Sequence, residues 1–101
     1  MKFTTTNVDV NMTSLQGYIL ANYDTLEELL GKPTEGDGYK IDAEWDLEFE
    51  DGTVATIYNW KDGRNYCGDD GMPVDDITDW HIGGKSQRAV ELVTELLTEQ
   101  V

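Results

Sequence analysis

Over residues 39–50 the chain alternates without a break, with Ile41, Ala43, Trp45, Leu47 and Phe49 set against Asp42, Glu44, Asp46, Glu48 and Glu50. A period of two marks a strand with one dry face and one wet face. Asp51-Gly52 follows, a pair that favours a two-residue type I′ hairpin turn. Residues 53–60 then supply a return strand rich in β-branched and aromatic side chains. A two-residue turn predicts Phe49 opposite Val54, Leu47 opposite Thr56, Trp45 opposite Tyr58 and Ala43 opposite Trp60. In that register Trp45, Phe49, Tyr58 and Trp60 share the core face, each burying roughly 150–250 Å². The carboxylates stand on the other face, roughly 6.7 Å apart along the strand, beside Thr53, Ala55, Ile57 and Asn59.

The flanking segments give weaker patterns. Residues 2–10, KFTTTNVDV, suit an edge strand with Val8 and Val10 on one face. Thr13 or Ser14 is placed to cap a helix in which Leu15, Tyr18, Ile19 and Tyr23 recur at helical spacing. Thr25 and Glu28 match a capping box, and Leu26, Leu29 and Leu30 extend the apolar stripe until Gly31 and Pro33 stop it. Residues 32–38 read as a connector. Residues 61–76, KDGRNYCGDDGMPVDD, form a long loop rich in Gly and Asp, of a length that small domains keep mainly for binding or mobility. A short strand over 77–82 follows, Gly83-Gly84 turns the chain, and Ser86 caps a closing helix with Ala89, Val93, Leu96 and Leu97 inward. The expected fold is α+β in a single domain over residues 1–101. It has a small antiparallel sheet centred on the 39–60 hairpin, packed on one face by two helical segments near 14–30 and 86–99.

Charge changes the picture more than composition does. Among 101 residues, 21 are acidic and 7 basic, a formal net charge of -14, while 39% are hydrophobic, enough to build a core. So negative a surface repels phosphate backbones and anionic lipid, which disfavours direct nucleic-acid binding and membrane association. One cysteine makes no intrachain disulfide, and neither a long apolar run nor a signal-peptide pattern is present. The expected location is therefore the cytoplasm; the possibility of a homo-oligomer is left open.

Several chemistries find little support in these residues. Asp69, Asp70, Asp75 and Asp76 are the densest acids of the loop, but they lack the spacing that rings a calcium ion, so no metal and no cofactor is expected. Cys67 and His81 are the only thiol and imidazole, and nothing in the sequence brings them within reach of each other. An open row of acids provides no asymmetric pair for glycoside hydrolysis, and no phosphate-binding Gly-rich motif occurs. The expectation is a protein that is not an enzyme. A small ligand has one set of candidate partners: Gln16, Tyr39, Tyr58, Asn59, Trp60, Lys61, Arg64, Trp80 and His81 combine stacking faces, amides and several of the few cations.

The run YKIDAEWDLEFEDGTVATIYNWKDG, followed by ITDWHIGG and preceded by TSLQGYI and LGKP, resembles a family of small acidic bacteriophage proteins over roughly residues 13–93. The resemblance implies a phage context, in which small acidic proteins often inhibit host defence, including anti-CRISPR proteins and restriction inhibitors that mimic DNA. Strand carboxylates at roughly 6.7 Å approximate every second phosphate of a DNA strand. The leading expectation is thus a non-enzymatic inhibitor in the host cytoplasm. It would dock on the basic groove of a host defence protein through Asp42, Glu44, Asp46, Glu48 and Glu50, aided by Asp69, Asp70, Asp75 and Asp76. One alternative is a sponge for a cyclic nucleotide immune signal, held by Gln16, Tyr39, Trp60, Lys61, Arg64, Trp80 and His81. Another is a halophile-adapted domain with no dedicated acidic site.

Overall fold

The computed structural model describes residues 2–99. Its strands are β1 (Phe3–Thr4), β2 (Ser14–Leu20), β3 (Glu44–Phe49), β4 (Val54–Tyr58) and β5 (Asp79–Gly84); its helices are α1 (Tyr23–Leu30), α2 (Arg64–Cys67) and α3 (Arg88–Thr98). The strands form one antiparallel sheet in the order β1-β3-β4-β5-β2. Leu26 and Leu30 of α1 and Ala89, Leu92, Val93 and Leu96 of α3 join Trp45, Leu47, Phe49, Ala55, Ile57, Trp80 and Ile82 in one buried cluster. The fold is α+β, with helices on one face of the sheet. No helix among the described residues is long and apolar enough to cross a membrane.

The alternation of β3 holds, but its pairing is one residue away from the expected register. Trp45 faces Ile57, Leu47 faces Ala55, and Glu44 faces Tyr58. The connection is a three-residue loop, Glu50-Asp51-Gly52: the Phe49 N–H donates to Thr53 O at 2.8 Å and the Gly52 N–H to Phe49 O at 2.9 Å. Gly52 takes φ +89, the left-handed position of a three-residue hairpin loop. Because side chains alternate, one residue of slip turns the whole return strand over. Ala55 and Ile57 enter the core, and Tyr58 joins the carboxylates instead. Trp60, beyond the strand end, is 40% exposed rather than buried.

Residues 14–20 are a strand, not the first half of a helix. β2 pairs with β5 along its length, with an irregularity between Leu15 and Gly17. Leu15, Tyr18 and Leu20 stay exposed, so their helical spacing does not mark a buried stripe. At Gly17 a Cβ would come within 2.9 Å of Val90 Cγ2, so β2 approaches α3 closely there and a larger residue would require Val90 to shift. Helix α1 starts at Tyr23 after Asn22, so Thr25 lies inside it and the Thr25–Glu28 capping box is not formed. Ser86 lies one residue before the cap of α3, which is Gln87 and makes no side-chain cap bond; the Ser86 Oγ accepts from the Arg88 N–H at 3.3 Å. Gly83 and Gly84 are not a turn but the buried end of β5, where any Cβ would strike Thr56 or Ala89.

The first strand is only two residues long and lies at the edge opposite β2. Residues 5–13 must therefore cross the sheet, a width of about 19 Å at four interstrand spacings. They do so over the face without helices: Val10 and Thr13 line a cleft together with Glu44, Thr56, Tyr58 and Gly83. Val8 and Val10 belong to this crossing segment, not to a strand. Residues 61–76 are likewise more ordered than expected, holding α2, two short 3-10 turns at Gly68–Asp70 and Val74–Asp76, and a bridge between Gly63 and Met72.

Candidate functional site

On the face beneath the crossing segment, Glu44, Asp46 and Glu48 are half-buried. Burial pushes the Glu44 carboxyl up to about 8, helped by a hydrogen bond to Asp46, its charge, and the charge of Asp37. Glu44 is therefore held toward its protonated form at neutral pH. Asp46 Oδ1 is buried and has no hydrogen-bond partner. Tyr58, directly across from Glu44, has its phenol raised by burial and by the charges of Glu44 and Tyr18. His81, between Tyr58 and Tyr18 with ring centroids at 5.4 and 4.9 Å, is lowered by burial.

Asp42 is committed to the fold. Fully buried Asn59 accepts from the Asp42 and Ala43 N–H groups at 2.7 and 3.1 Å, and donates to Asp42 Oδ1 and Asp62 Oδ1 at 3.0 and 2.9 Å. Asp42 Oδ2 also accepts from the Asn65 N–H at 3.3 Å. The amide ties the entry of β3 to the exit of β4 and to α2. Of the five strand acids, Glu50 is exposed in the hairpin loop and Glu48 half-exposed beside Thr4. The evenly outward row is therefore absent: Asp42 is hydrogen-bonded within the protein, and Glu44 and Asp46 are half-buried.

Free negative charge gathers elsewhere. Asp69, Asp70, Asp75 and Asp76 are exposed on the two 3-10 turns. The Tyr23 hydroxyl donates to Glu27 Oε2 at 2.9 Å. Its pKa is raised by burial, by that bond and charge, and then by the charges of Asp24 and Asp75. Tyr23 and Glu27 also line a groove of about 360 Å³ with Lys32, Glu35, Asp42 and Val74. Among the described residues one ion pair occurs, Arg88 to Asp51 at 3.5 Å, against 21 acids in the chain.

The small-ligand candidates divide. Tyr39, Trp60 and Lys61 come together at one end of the open face, joined by Lys40 and Tyr66. Arg64 is exposed on α2. Trp80 is in the core, its Nε1–H bonded to Ala21 O at 2.9 Å, and Gln16 sits at the far end, donating to Gly84 O at 3.1 Å.

The chain matches no family model, no curated protein and no solved structure. Its own geometry is what bears on chemistry. Cys67 Sγ donates to Lys61 O at 3.2 Å while His81 stacks edge-on with two tyrosines, so thiol and imidazole have separate partners. No three His, Cys, Asp or Glu side chains converge as a metal site among the described residues. Sequence reasoning passed over Glu27, Glu35, Lys40 and Tyr66. Glu27 and Glu35 sit either side of the helix end, where no periodic signal pairs them. Lys40 adjoins Tyr39 as Lys61 adjoins Trp60, a repeated aromatic–lysine doublet that was open to notice.

Proposed function

We propose that this chain is a non-enzymatic inhibitor of a host antiviral defence system, anti-CRISPR-like or anti-restriction, of the kind that phages encode. It docks on the basic nucleic-acid-binding groove of its target. The observation that carries the reading is the excess of carboxylates at the α1 end, where Glu27 and Glu35 line a groove that holds one cation, Lys32, and Asp75 and Asp76 are exposed on the adjoining 3-10 turn. Such a surface attracts Lys and Arg from a distance and speeds encounter, at a rate that falls with ionic strength. The docking charge then lies with these groups and with Asp69, Asp70, Asp75 and Asp76, while Glu48 and Glu50 contribute from the opposite end of β3.

The test uses Glu27→Lys, Glu35→Lys and Asp75→Lys together, with the parent chain as bait in bacterial extract. The expected partner is a nuclease or its complex. Nucleic acid competes with the bait for it, it loses activity when bound, and it releases the bait as salt rises from about 50 to 300 mM. The triple variant is expected to bind at least tenfold more weakly and to relieve inhibition. A partner retained equally by the variant at every salt concentration rejects the reading.

A further inference from the structure

A feature of opposite sign occupies the open face. Tyr39, Trp60 and Tyr66 are 56%, 40% and 41% exposed. Lys40 Nζ lies 6.0 Å from the Tyr39 ring centre and 5.5 Å from that of Trp60; Lys61 Nζ lies 5.7 Å from Trp60 and 5.5 Å from Tyr66. Tyr39 and Tyr66 close the circuit at 5.3 Å. Two of the chain's seven cations are thus spent on three rings, and neither forms an ion pair among the described residues although 21 acids are available. Cation–π contact accounts for the arrangement of the ammoniums, but not for leaving three rings in water.

The patch is held in place rather than draped on the surface. The Lys61 N–H donates to Lys40 O at 2.8 Å, Cys67 Sγ to Lys61 O at 3.2 Å, and Asn59, the residue before Trp60, is buried and accepts from the Ala43 N–H at 3.1 Å. Lys61 also takes φ +60, a left-handed conformation uncommon for a side chain of its kind. Immediately beside it, Trp60 and Tyr58 form the wall of the cleft of about 260 Å³ beneath the crossing segment, where Glu44 and Thr56 add polar groups.

We propose that the patch and cleft together bind a nucleotide, its base stacked on Trp60 with one edge toward Glu44, Thr56 and Tyr58, and its phosphate between Lys40 and Lys61. Stacking on an exposed ring suits any base because every base offers a π face, while the ammoniums select for an anion. The Thr56 hydroxyl and the free oxygen of Glu44 offer a donor and an acceptor side by side in the cleft, the pairing that a base edge requires. Size is limited by charge: beyond two lysines the net -14 of the protein repels further phosphates, so one or two are favoured over a strand. The inference does not rest on the docking of a basic partner, which uses the acids at the α1 end.

Trp60 is the natural reporter, since Trp45 and Trp80 are 2% and 0% exposed. AMP, GMP, cyclic di-GMP, adenosine, inorganic phosphate and an oligothymidylate of about twenty nucleotides are titrated into the intact protein while its tryptophan fluorescence is followed. At least one of the three nucleotides is expected to quench saturably, with adenosine and phosphate at least tenfold weaker and the oligothymidylate weaker than the best nucleotide. Lys40→Gln with Lys61→Gln is expected to lower nucleotide affinity at least tenfold, and Trp60→Ala to abolish binding seen by calorimetry while its melting temperature stays near that of the parent. No saturation by any nucleotide up to about 5 mM overturns the site. So does affinity unchanged in the double lysine variant, or an oligothymidylate that binds more tightly than the nucleotides.

Discussion

The two faces of the sheet are built from the same strands and treat polar groups differently. On the helix side, Trp45, Leu47, Phe49, Ile57, Trp80 and Ile82 are at most 2% exposed. Both of its indoles are satisfied, Trp45 Nε1–H by Gly31 O at 2.8 Å and Trp80 Nε1–H by Ala21 O at 2.9 Å. On the other side, Glu44, Thr56 and Tyr58 line an open cleft with Val10 and Thr13, a buried Asp46 oxygen lacks a donor, and rings remain in water. The first arrangement stabilises, because apolar area leaves water and every buried polar atom is paired. The second gives up stability and keeps its groups available, the usual condition of a binding surface.

Truncation separates the faces most sharply. Trp45→Ala is expected to cost about 3–5 kcal/mol through the cavity it leaves, read as the shift of a urea unfolding midpoint. Next is Asn59→Ala, which strips four hydrogen bonds and leaves Asp42 and two backbone N–H groups with fewer partners. A loss of about 2–4 kcal/mol is expected, and a loss below about 1 kcal/mol would show that the amide does not join the two halves of the open end.

A smaller effect should appear only on changing pH. Glu44 has an ordinary value near 4.5 when unfolded and about 8 in the fold. Between those limits the unfolded chain releases a proton that the folded chain retains, so this contribution is full below about 4.5 and is lost as pH rises to about 8. Glu44→Gln has no such slope, and its melting temperature is expected to gain on the parent between acid and mildly alkaline pH. Parallel curves would show that Glu44 titrates as it does in water. The least change is expected from Trp60→Ala, within about 1 kcal/mol of the parent, since its ring is 40% exposed.

Much of the fold was legible because its main signals are local. The alternation of β3 needs only neighbouring residues, and the helical stripe of α3 buries Ala89, Val93 and Leu96 as its spacing requires. Asp51-Gly52 marked a turn correctly but not its length, and one additional loop residue, Glu50, was enough to move Tyr58 from the core to the acids. Residues 14–20 show the limit of periodicity in a short window, where tertiary pairing with β5 overrides it. For the site, alternation told which way Glu44 and Asp46 point, but not that residues 5–13 pass over them. That follows from β1 and β2 lying at opposite edges, a long-range fact with no local trace. Tyr39, Trp60 and Lys61 were chosen by residue type and do meet; Gln16 and Trp80, chosen the same way, are placed by β2 and by the core.

The polar character of the open face is most directly read at one carboxyl, that of Glu44. Carbon-detected NMR of the protein labelled at its glutamate side chains, followed from pH 3 to pH 10, reports it directly. The Glu44 resonance is predicted to titrate near 8 and to shift when Asp46 is replaced by Asn. A Glu44 midpoint near 4.5, unmoved by that replacement, would mean an ordinary solvated acid and contradict the account.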